Sequence, residues 1–162
     1  MSRSAGIDAT IRTAVPTDEP AIAALLAGFG LPLDGVHDAL PHFVVAEHGD
    51  TIVGVAGIEA CGVTGEHALL RSVAVAPSWQ SRGLGRALVT RAVAEAEARG
   101  VDALYLLTTT AEHYFPAFGF TSVSREAVPP DIRATAEFRV ACPDSATVMV
   151  RASGRPTQVM EG

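Results

Sequence analysis

The sequence SVAVAPSWQSRGLGRALVTRAVAEA, from Ser72 to Ala96, contains the transition that decides the fold. It begins with the alternating apolar residues of a strand, passes through a Pro/Ser turn and two glycines, and continues with the apolar spacing of an amphipathic helix. A turn from strand to helix exposes the first N–H groups of the helix, and glycines let a ligand phosphate approach them closely. Gly83 and Gly85 therefore form either a tight turn alone or an anion site, to which Arg82 and Arg86 add positive charge.

Two common phosphate-binding patterns match this turn poorly. A P-loop requires GxxxxGK[ST], and the sequence has no Lys followed by Ser or Thr. A dinucleotide-binding turn requires GxGxxG, whereas this turn reads GLGRAL, and Asp102 begins the next strand instead of ending it. The pattern that remains is QxxGxG, which here is QSRGLG, from Gln80 to Gly85.

The residues before this turn predict strands. HFVVAEHGDTIVGVAGIEA indicates an antiparallel pair at roughly 42–47 and 51–59, and HALLRSVAV indicates a further strand. Strict alternation in that further strand would place on one face Leu69, Arg71, Val73 and Val75, and on the other Leu70, Ser72 and Ala74. The preceding segment LPLDGVHDAL is punctuated by Pro and Gly and lies where a loop could cover a pocket.

The residues after the turn alternate between helix and strand. Leu84, Leu88, Ala92 and Ala96 recur every four residues, and Gly100 is the expected helix stop. VDALYLLTTT, FTSVS and ATVMV predict strands, and AEHYFPAFGF predicts a short helix that ends at Gly119. With a first strand about Ile11 and a helix after it, this order predicts a single α/β domain whose mixed, mostly antiparallel sheet is flanked by helices. We expect the domain at 9–152, with a flexible N-terminus at 1–8 and a flexible tail at 153–162.

Composition narrows the range of partners. The formal net charge is −6, from 12 Lys and Arg against 18 Asp and Glu, and there is no basic run. This argues against nucleic acid and against an anionic membrane surface. Cys61 and Cys142 have neither zinc-ligand nor disulfide-framework spacing, so we expect packing roles and no metal. No apolar window approaches the length of a membrane span, and we expect a cytoplasmic protein with a small-molecule partner.

The order of strand, QSRGLG, helix, strand, short helix and FGF resembles the GCN5-related N-acetyltransferase family, from Ile11 to about Val150. In that family the glycine turn binds the pyrophosphate of acetyl-CoA. The resemblance implies that backbone groups of Val73, Ala74 and Val75 contact the pantetheine like an added strand. It also implies that the pyrophosphate is held by the N–H groups of Gln80, Ser81, Arg82, Gly83, Leu84, Gly85 and Arg86.

The resemblance implies direct transfer of acetyl to a neutral amine, with the oxyanion at a backbone N–H near Val73 or Ala74. The amine proton needs a base, and Glu59 and Glu66 are both candidates beside the alternative of solvated carboxylates. The tyrosine that protonates the leaving thiolate in many family members corresponds to Phe115 here. Its neighbour Tyr114 is turned about 100° around a helix, so an acid role for it stays open. A thiolate can leave without an acid because a thiol has a pKa of only about 8.5.

The acceptor is also suggested by resemblance. LLRSVAV with LYLLTTTAEHYFPAFGF resembles glutamate-type amino-acid N-acetyltransferases and the acetyltransferases associated with arsenic resistance, and IRATAEF is more similar to the second subgroup. The implied acceptor is glutamate or an analogue such as phosphinothricin or arsinothricin. Arg71 and Arg133 are the candidate partners of its acidic groups, although Arg71 could instead form an ion pair with Glu59 or Glu66. Thr109 could line the acceptor site or help to cap the next helix.

Other functions stay open at the level of sequence. The displaced tyrosine fits a silent member that binds acetyl-CoA as a sensor, whereas the arginine and the two carboxylates favour an enzyme. Acetylation of a protein or peptide amine is a further alternative. Dimers are common in the family, so the resemblance implies a homodimer as one assembly.

Overall fold

The computed structural model describes residues 9–61, 65–109, 111–135, 138 and 146–152. Predicted features at 1–8 and 153–162, and the residues Thr110 and Cys142, lie outside these ranges. The strands are β1 Thr10–Thr13, β2 Phe43–His48, β3 Thr51–Cys61, β4 His67–Val75, β5 Ala103–Thr108, β6 Thr121–Val123 and β7 Thr147–Ala152. The α-helices are α1 Glu19–Gly28, α2 Val36–Ala39, α3 Leu84–Ala98 and α4 Pro130–Arg133.

The strands form one seven-stranded sheet in the order β1-β2-β3-β4-β5-β7-β6. All neighbours are antiparallel except β4 and β5, which are parallel because α3 connects them across one face of the sheet. The predicted single α/β domain with a mixed, mostly antiparallel sheet is confirmed. The predicted pair at 42–47 and 51–59 is the β2–β3 hairpin, turned at Gly49 with a φ of +60°.

Helix α3 covers one face of the sheet as its periodicity predicts. Its buried residues are Leu84, Leu88, Val89, Ala92, Val93 and Ala96. Gly54 of β3 lets the helix approach closely, since a Cβ at this position would lie 2.7 Å from Leu88 Cδ1. The helix begins after Gly83 at a φ of +85° and is followed by Gly100 at +87°, both in the left-handed region that glycine tolerates.

Strand β4 departs from the predicted alternation. Gly57 of β3 is opposite Arg71, and Val55 is opposite Ala74, so β4 contains one extra residue in a β-bulge. Ser72 lies in this bulge and has a φ of +61°. Val73 and Val75 therefore pack with Leu70 on the α3 side, while Arg71 reaches the other side of the sheet. The prediction that Arg71, Val73 and Val75 share a face is wrong, because the bulge inverts the pattern after Arg71.

The parallel pairing of β4 and β5 is short. It joins His67 to Ala103 and Leu69 to Tyr105, although both strands continue beyond these residues. Helices α1 and α2 pack over the β2 and β3 side of the other face, and Ile132 of α4 packs over Leu69 and Tyr105. Strands β4 and β5 are therefore paired with each other at their first residues, the closed end, and not at their later residues, the open end.

Candidate active site

A pocket of about 560 Å³ lies between the unpaired parts of β4 and β5. The β4 wall is Leu70–Val73, and the β5 wall is Leu106–Thr108. The remaining described lining residues are Gly30, Leu31, Pro32, Thr109, Ala111, Tyr114, Phe115 and Ala146. After Leu69, the edge of β4 that faces β5 is unpaired. Its backbone N–H and C=O groups can bind a ligand as an added strand would be bound. Gly30–Pro32, which precede α2, belong to this lining.

Arg71 brings a positive charge to the pocket wall. Its side chain has 0% exposure, and Nη1 donates to Glu59 Oε1 at 2.9 Å. Nε donates to Ser72 Oγ at 3.0 Å, and Nη2 donates to the carbonyl of Pro32 at 3.3 Å. The ion pair with Glu59, left open by the sequence, is therefore present. The carboxylate of Glu59 keeps 21% of its side-chain surface exposed.

The glycine turn has the form of an anion site. Gln80 Nε2 donates to the carbonyl of Val75 at 2.9 Å, which connects the turn to the end of β4. Ser81 and Gly83 both have positive φ, and the N-cap Gly83 has no side chain with which to cap the helix. The first N–H groups of the fifteen-residue α3 therefore point out of its positive end toward any ligand phosphate.

Two arginines beside this turn are held by aromatic rings. The guanidinium carbon of Arg82 lies 4.8 Å from the ring centre of Trp79, and that of Arg86 lies 5.5 Å from the ring centre of Phe118. These are cation–π distances, so each guanidinium has a defined position, and among the described residues neither forms an ion pair with a carboxylate. The donors and charges of the turn fit the pyrophosphate of coenzyme A.

Tyr114 lines the pocket and is 39% exposed. Burial of the hydroxyl raises its pKa above the ordinary value, and the charge of Arg86 opposes this shift. Thr109 is exposed at the pocket rim, and Thr108 Oγ1 accepts a hydrogen bond of 2.9 Å from the N–H of Ala111. Thr108 thus caps this turn, whereas Thr109, for which the sequence left both roles open, borders the pocket.

Two predicted site residues lie elsewhere. Glu66 is exposed at the closed end of the strands, roughly 16 Å along the chain from Arg71 at the usual strand rise. Its carbonyl accepts a 2.7 Å hydrogen bond from the N–H of Asp102. Arg133 of α4 donates to the carbonyls of Val128, Arg125 and Glu126, and it borders a separate small cavity. The structure therefore places Arg71, Thr109 and Tyr114 around the pocket and Glu59 in contact with Arg71, whereas Glu66 and Arg133 do not line it.

Sequence reasoning missed two parts of the site. Ser72 was assigned to an ordinary strand position, and nothing in HALLRSVAV signals its left-handed backbone. Pro32 was placed in a covering loop, but its carbonyl contact with Arg71 had no local signal. Cys61 is buried, and burial raises the pKa of its thiol to about 12, so it packs without a nucleophilic role.

Within the described residues, no group of three His, Cys, Asp or Glu side chains is arranged to hold a metal ion. The helices in the described part of the chain are too short or too polar to cross a bilayer.

Comparison with known proteins agrees with this geometry. The model of the acetyltransferase (GNAT) family matches residues 10–120, which include strands β1 to β5, the glycine turn and α3. The chain belongs to this family. It is an acyltransferase, and acetyl-CoA is its co-substrate.

Particular relatives are similar over most of the chain. An uncharacterized N-acetyltransferase of Chlorobaculum tepidum is 29% identical over 132 residues, which are 77% of this chain and 83% of the relative. An amino-acid acetyltransferase of Mycobacterium tuberculosis is 30% identical over 129 residues, which are 75% of this chain and 74% of the relative. A solved structure of N-acetylglutamate synthase from Neisseria gonorrhoeae, complexed with coenzyme A and N-acetyl-glutamate, matches with a TM-score of 0.77 and 25% identity. That match covers 91% of this chain but only 35% of the synthase chain.

Proposed function

We propose that the protein transfers acetyl from acetyl-CoA to the α-amine of glutamate or a glutamate-like amino acid. The observation that carries this proposal is Arg71, the charged residue among the described residues that line the pocket. The other lining side chains are apolar or carry hydroxyl groups, so an acidic acceptor is attracted to one position. The names of the Mycobacterium tuberculosis and Neisseria gonorrhoeae relatives support an amino acid as acceptor.

The ion pair sets the condition for acceptor binding. Arg71 has no exposed side-chain surface. An acceptor carboxylate therefore binds the guanidinium when a present partner, such as Glu59 or the carbonyl of Pro32, releases one of the N–H groups of Arg71. A carboxylate that replaces Glu59 keeps the buried arginine paired, which avoids the large cost of an uncompensated charge. An amine without an acidic group offers no such replacement. This exchange favours acidic amino acids over polyamines.

The same exchange gives Glu59 a role in proton transfer. The attacking amine must be neutral, and forming the C–N bond leaves a proton on nitrogen while the C–S bond breaks and the thiolate departs. Glu59 is part-exposed beside the pocket arginine, so it can accept that proton through a water molecule. Backbone N–H groups of Val73 or Ala74, after the bulge, would stabilise the negative charge on the thioester oxygen.

Phosphinothricin and arsinothricin stay within this proposal as acceptors. Each has an acidic group in place of the side-chain carboxylate, so the electrostatic argument at Arg71 applies to them as well. A role in arsenic resistance depends on whether arsinothricin is preferred over glutamate. The acceptor panel below measures that preference.

The test is acetyl transfer by purified protein, followed by thiol release, with glutamate, phosphinothricin, arsinothricin, spermidine and a peptide amine. Acidic amino acids should be acetylated at least about tenfold more efficiently than the other amines. Arg71→Ala should lower kcat/KM for them about a hundredfold or more, because a buried charged partner is lost. Arg133→Ala is the matched control and should stay within about threefold, since its guanidinium bonds carbonyls away from the pocket.

Binding of coenzyme A, measured by calorimetry, checks that each variant is folded. A preference for spermidine or peptide would overturn the proposed acceptor. Equal losses in the two arginine variants would remove Arg71 from acceptor recognition. Coenzyme A binding without turnover on any amine would contradict the proposed reaction and support an acetyl-CoA sensor.

A further inference from the structure

Tyr114 lies one residue before the position at which the family resemblance places a thiolate acid, and its side chain takes a different direction. A Cβ built on Gly85 would be 3.5 Å from the Tyr114 hydroxyl oxygen and 3.7 Å from Val75 Cγ2. The hydroxyl is therefore next to the first turn of α3, at the glycine turn. We propose that Tyr114 binds the phosphate end of coenzyme A and does not protonate the leaving thiolate.

Three aromatic rings fix this orientation. The Tyr114 ring meets Phe115 edge-on at a centroid distance of 5.2 Å and packs at 60° against Phe118 at 5.3 Å. Phe115 is 8% exposed and packs edge-on against Phe120, so it fills the core beneath the pocket. Phe115 begins a short 3₁₀ helix, Phe115–Phe118, with Tyr114 as its N-cap. Because neighbouring residues of such a helix differ in direction by about 120°, burial of Phe115 directs Tyr114 toward α3. A tyrosine at residue 114 cannot occupy the place of the phenylalanine at 115.

The surroundings of the hydroxyl are those of an anion site. The N-terminus of α3 supplies backbone N–H donors, and Arg86 is held at this end of the helix by Phe118. A tyrosine hydroxyl is protonated at neutral pH, and burial raises the pKa of Tyr114 further, so this hydroxyl is available to donate a hydrogen bond. The phosphate site would therefore have three kinds of donor: backbone N–H groups, guanidinium groups and the Tyr114 hydroxyl. Val75, which like the hydroxyl lies next to Gly85, is two residues beyond Val73, where the resemblance places the thioester end of the ligand.

The experiment compares two acetyl donors. S-acetyl-pantetheine contains the thioester and the pantetheine but lacks the pyrophosphate, whereas acetyl-CoA contains both. Tyr114→Phe should raise the Kd for coenzyme A about tenfold and lower kcat/KM with acetyl-CoA to the same extent. With S-acetyl-pantetheine the variant should equal the wild type. Tyr105→Phe, which removes a hydroxyl from the opposite sheet face beneath α4, is the matched control and should change neither quantity.

The outcomes separate the two roles. An acid role predicts a loss of about a hundredfold or more with both donors and an unchanged Kd for coenzyme A. That result would overturn the proposal, and so would an unchanged Kd together with unchanged rates. The calorimetric Kd needs no acceptor amine, so this test stands independently of the proposed acceptor.

Discussion

The two ends of the β4–β5 pair differ although they belong to the same strands. At the closed end, backbone hydrogen bonds join His67–Leu69 to Ala103–Tyr105, and α4 covers the strands. His67 Nδ1 lies 2.9 Å from Asp131 Oδ2, which connects the sheet to this helix. At the open end, a pocket separates Leu70–Val73 from Leu106–Thr108.

The comparison shows that acidic and basic residues occur at both ends, and that the 560 Å³ pocket between the strands lies at the open end. At the closed end, the backbone carbonyl of Glu66 accepts a hydrogen bond from Asp102. Arg133 donates to the backbone carbonyl of Val128. Arg71, which lines the pocket at the open end, forms an ion pair with Glu59 of the neighbouring strand. Location relative to the gap, more than residue type, therefore distinguishes candidate catalytic groups from structural ones.

The largest expected effect comes from breaking the bulge that accompanies the open end. Ser72→Val places a β-branched residue at a φ of +61°, which should lower the free energy of unfolding by about 1–2 kcal/mol. If the strand escapes this strain by losing the bulge, the N–H groups of Val73 and Ala74 are redirected. We then expect kcat/KM to fall about a hundredfold or more, as for loss of an oxyanion donor.

Ser72→Gly is the control for this variant. It also removes the hydroxyl that accepts from Arg71, but glycine adopts positive φ without strain. Chemical denaturation and steady-state rates should place it much closer to the wild type than Ser72→Val. Equal activity of the two variants would show that the backbone of the bulge has no part in catalysis.

An intermediate effect is expected when the gap at the glycine turn is narrowed. Gly85→Ala adds a methyl group at ordinary contact distance from the Tyr114 hydroxyl and Val75, so the fold should accept it and the helix should gain up to about 1 kcal/mol. The methyl occupies the space through which a phosphate approaches the backbone. We expect the Kd for coenzyme A to rise about tenfold in calorimetry without a fall in Tm.

Gly28→Ala provides the matched comparison. Gly28 ends α1, and a Cβ there would meet nothing within 4 Å. This variant should bind coenzyme A like the wild type. A rise in Kd in both glycine variants would point to a general effect of the substitution instead of the turn.

The smallest effect is expected at the closed end. Glu66→Gln removes an exposed carboxylate but keeps the backbone carbonyl that accepts from Asp102. We expect kcat/KM for the preferred amine to stay within about twofold, with no change in its pH dependence. A loss of more than tenfold in steady-state rates would make Glu66 the base and would contradict the role proposed for Glu59.

The sequence predicted features that depend on local spacing. The buried stripe of α3, the β2–β3 hairpin and the glycine turn each follow from residues close together in the chain. The bulge at Ser72 could not be predicted this way, because it exists only in the register between β3 and β4. The same register decides that Arg71 meets Glu59 and that Glu66 lies at the far end of the strand. Periodicity identified the strand, but pairing between distant segments identified the site.

The walls of the pocket come from separate parts of the chain. One wall is β4, which leads into the glycine turn and α3, the predicted coenzyme side, whereas the other walls include Gly30–Pro32 and Thr109. Substitutions at Leu31 or Thr109 leave the coenzyme side intact, since neither residue belongs to its elements. Descendants of one ancestral gene can therefore diverge in the amine they accept while they keep a common acetyl donor.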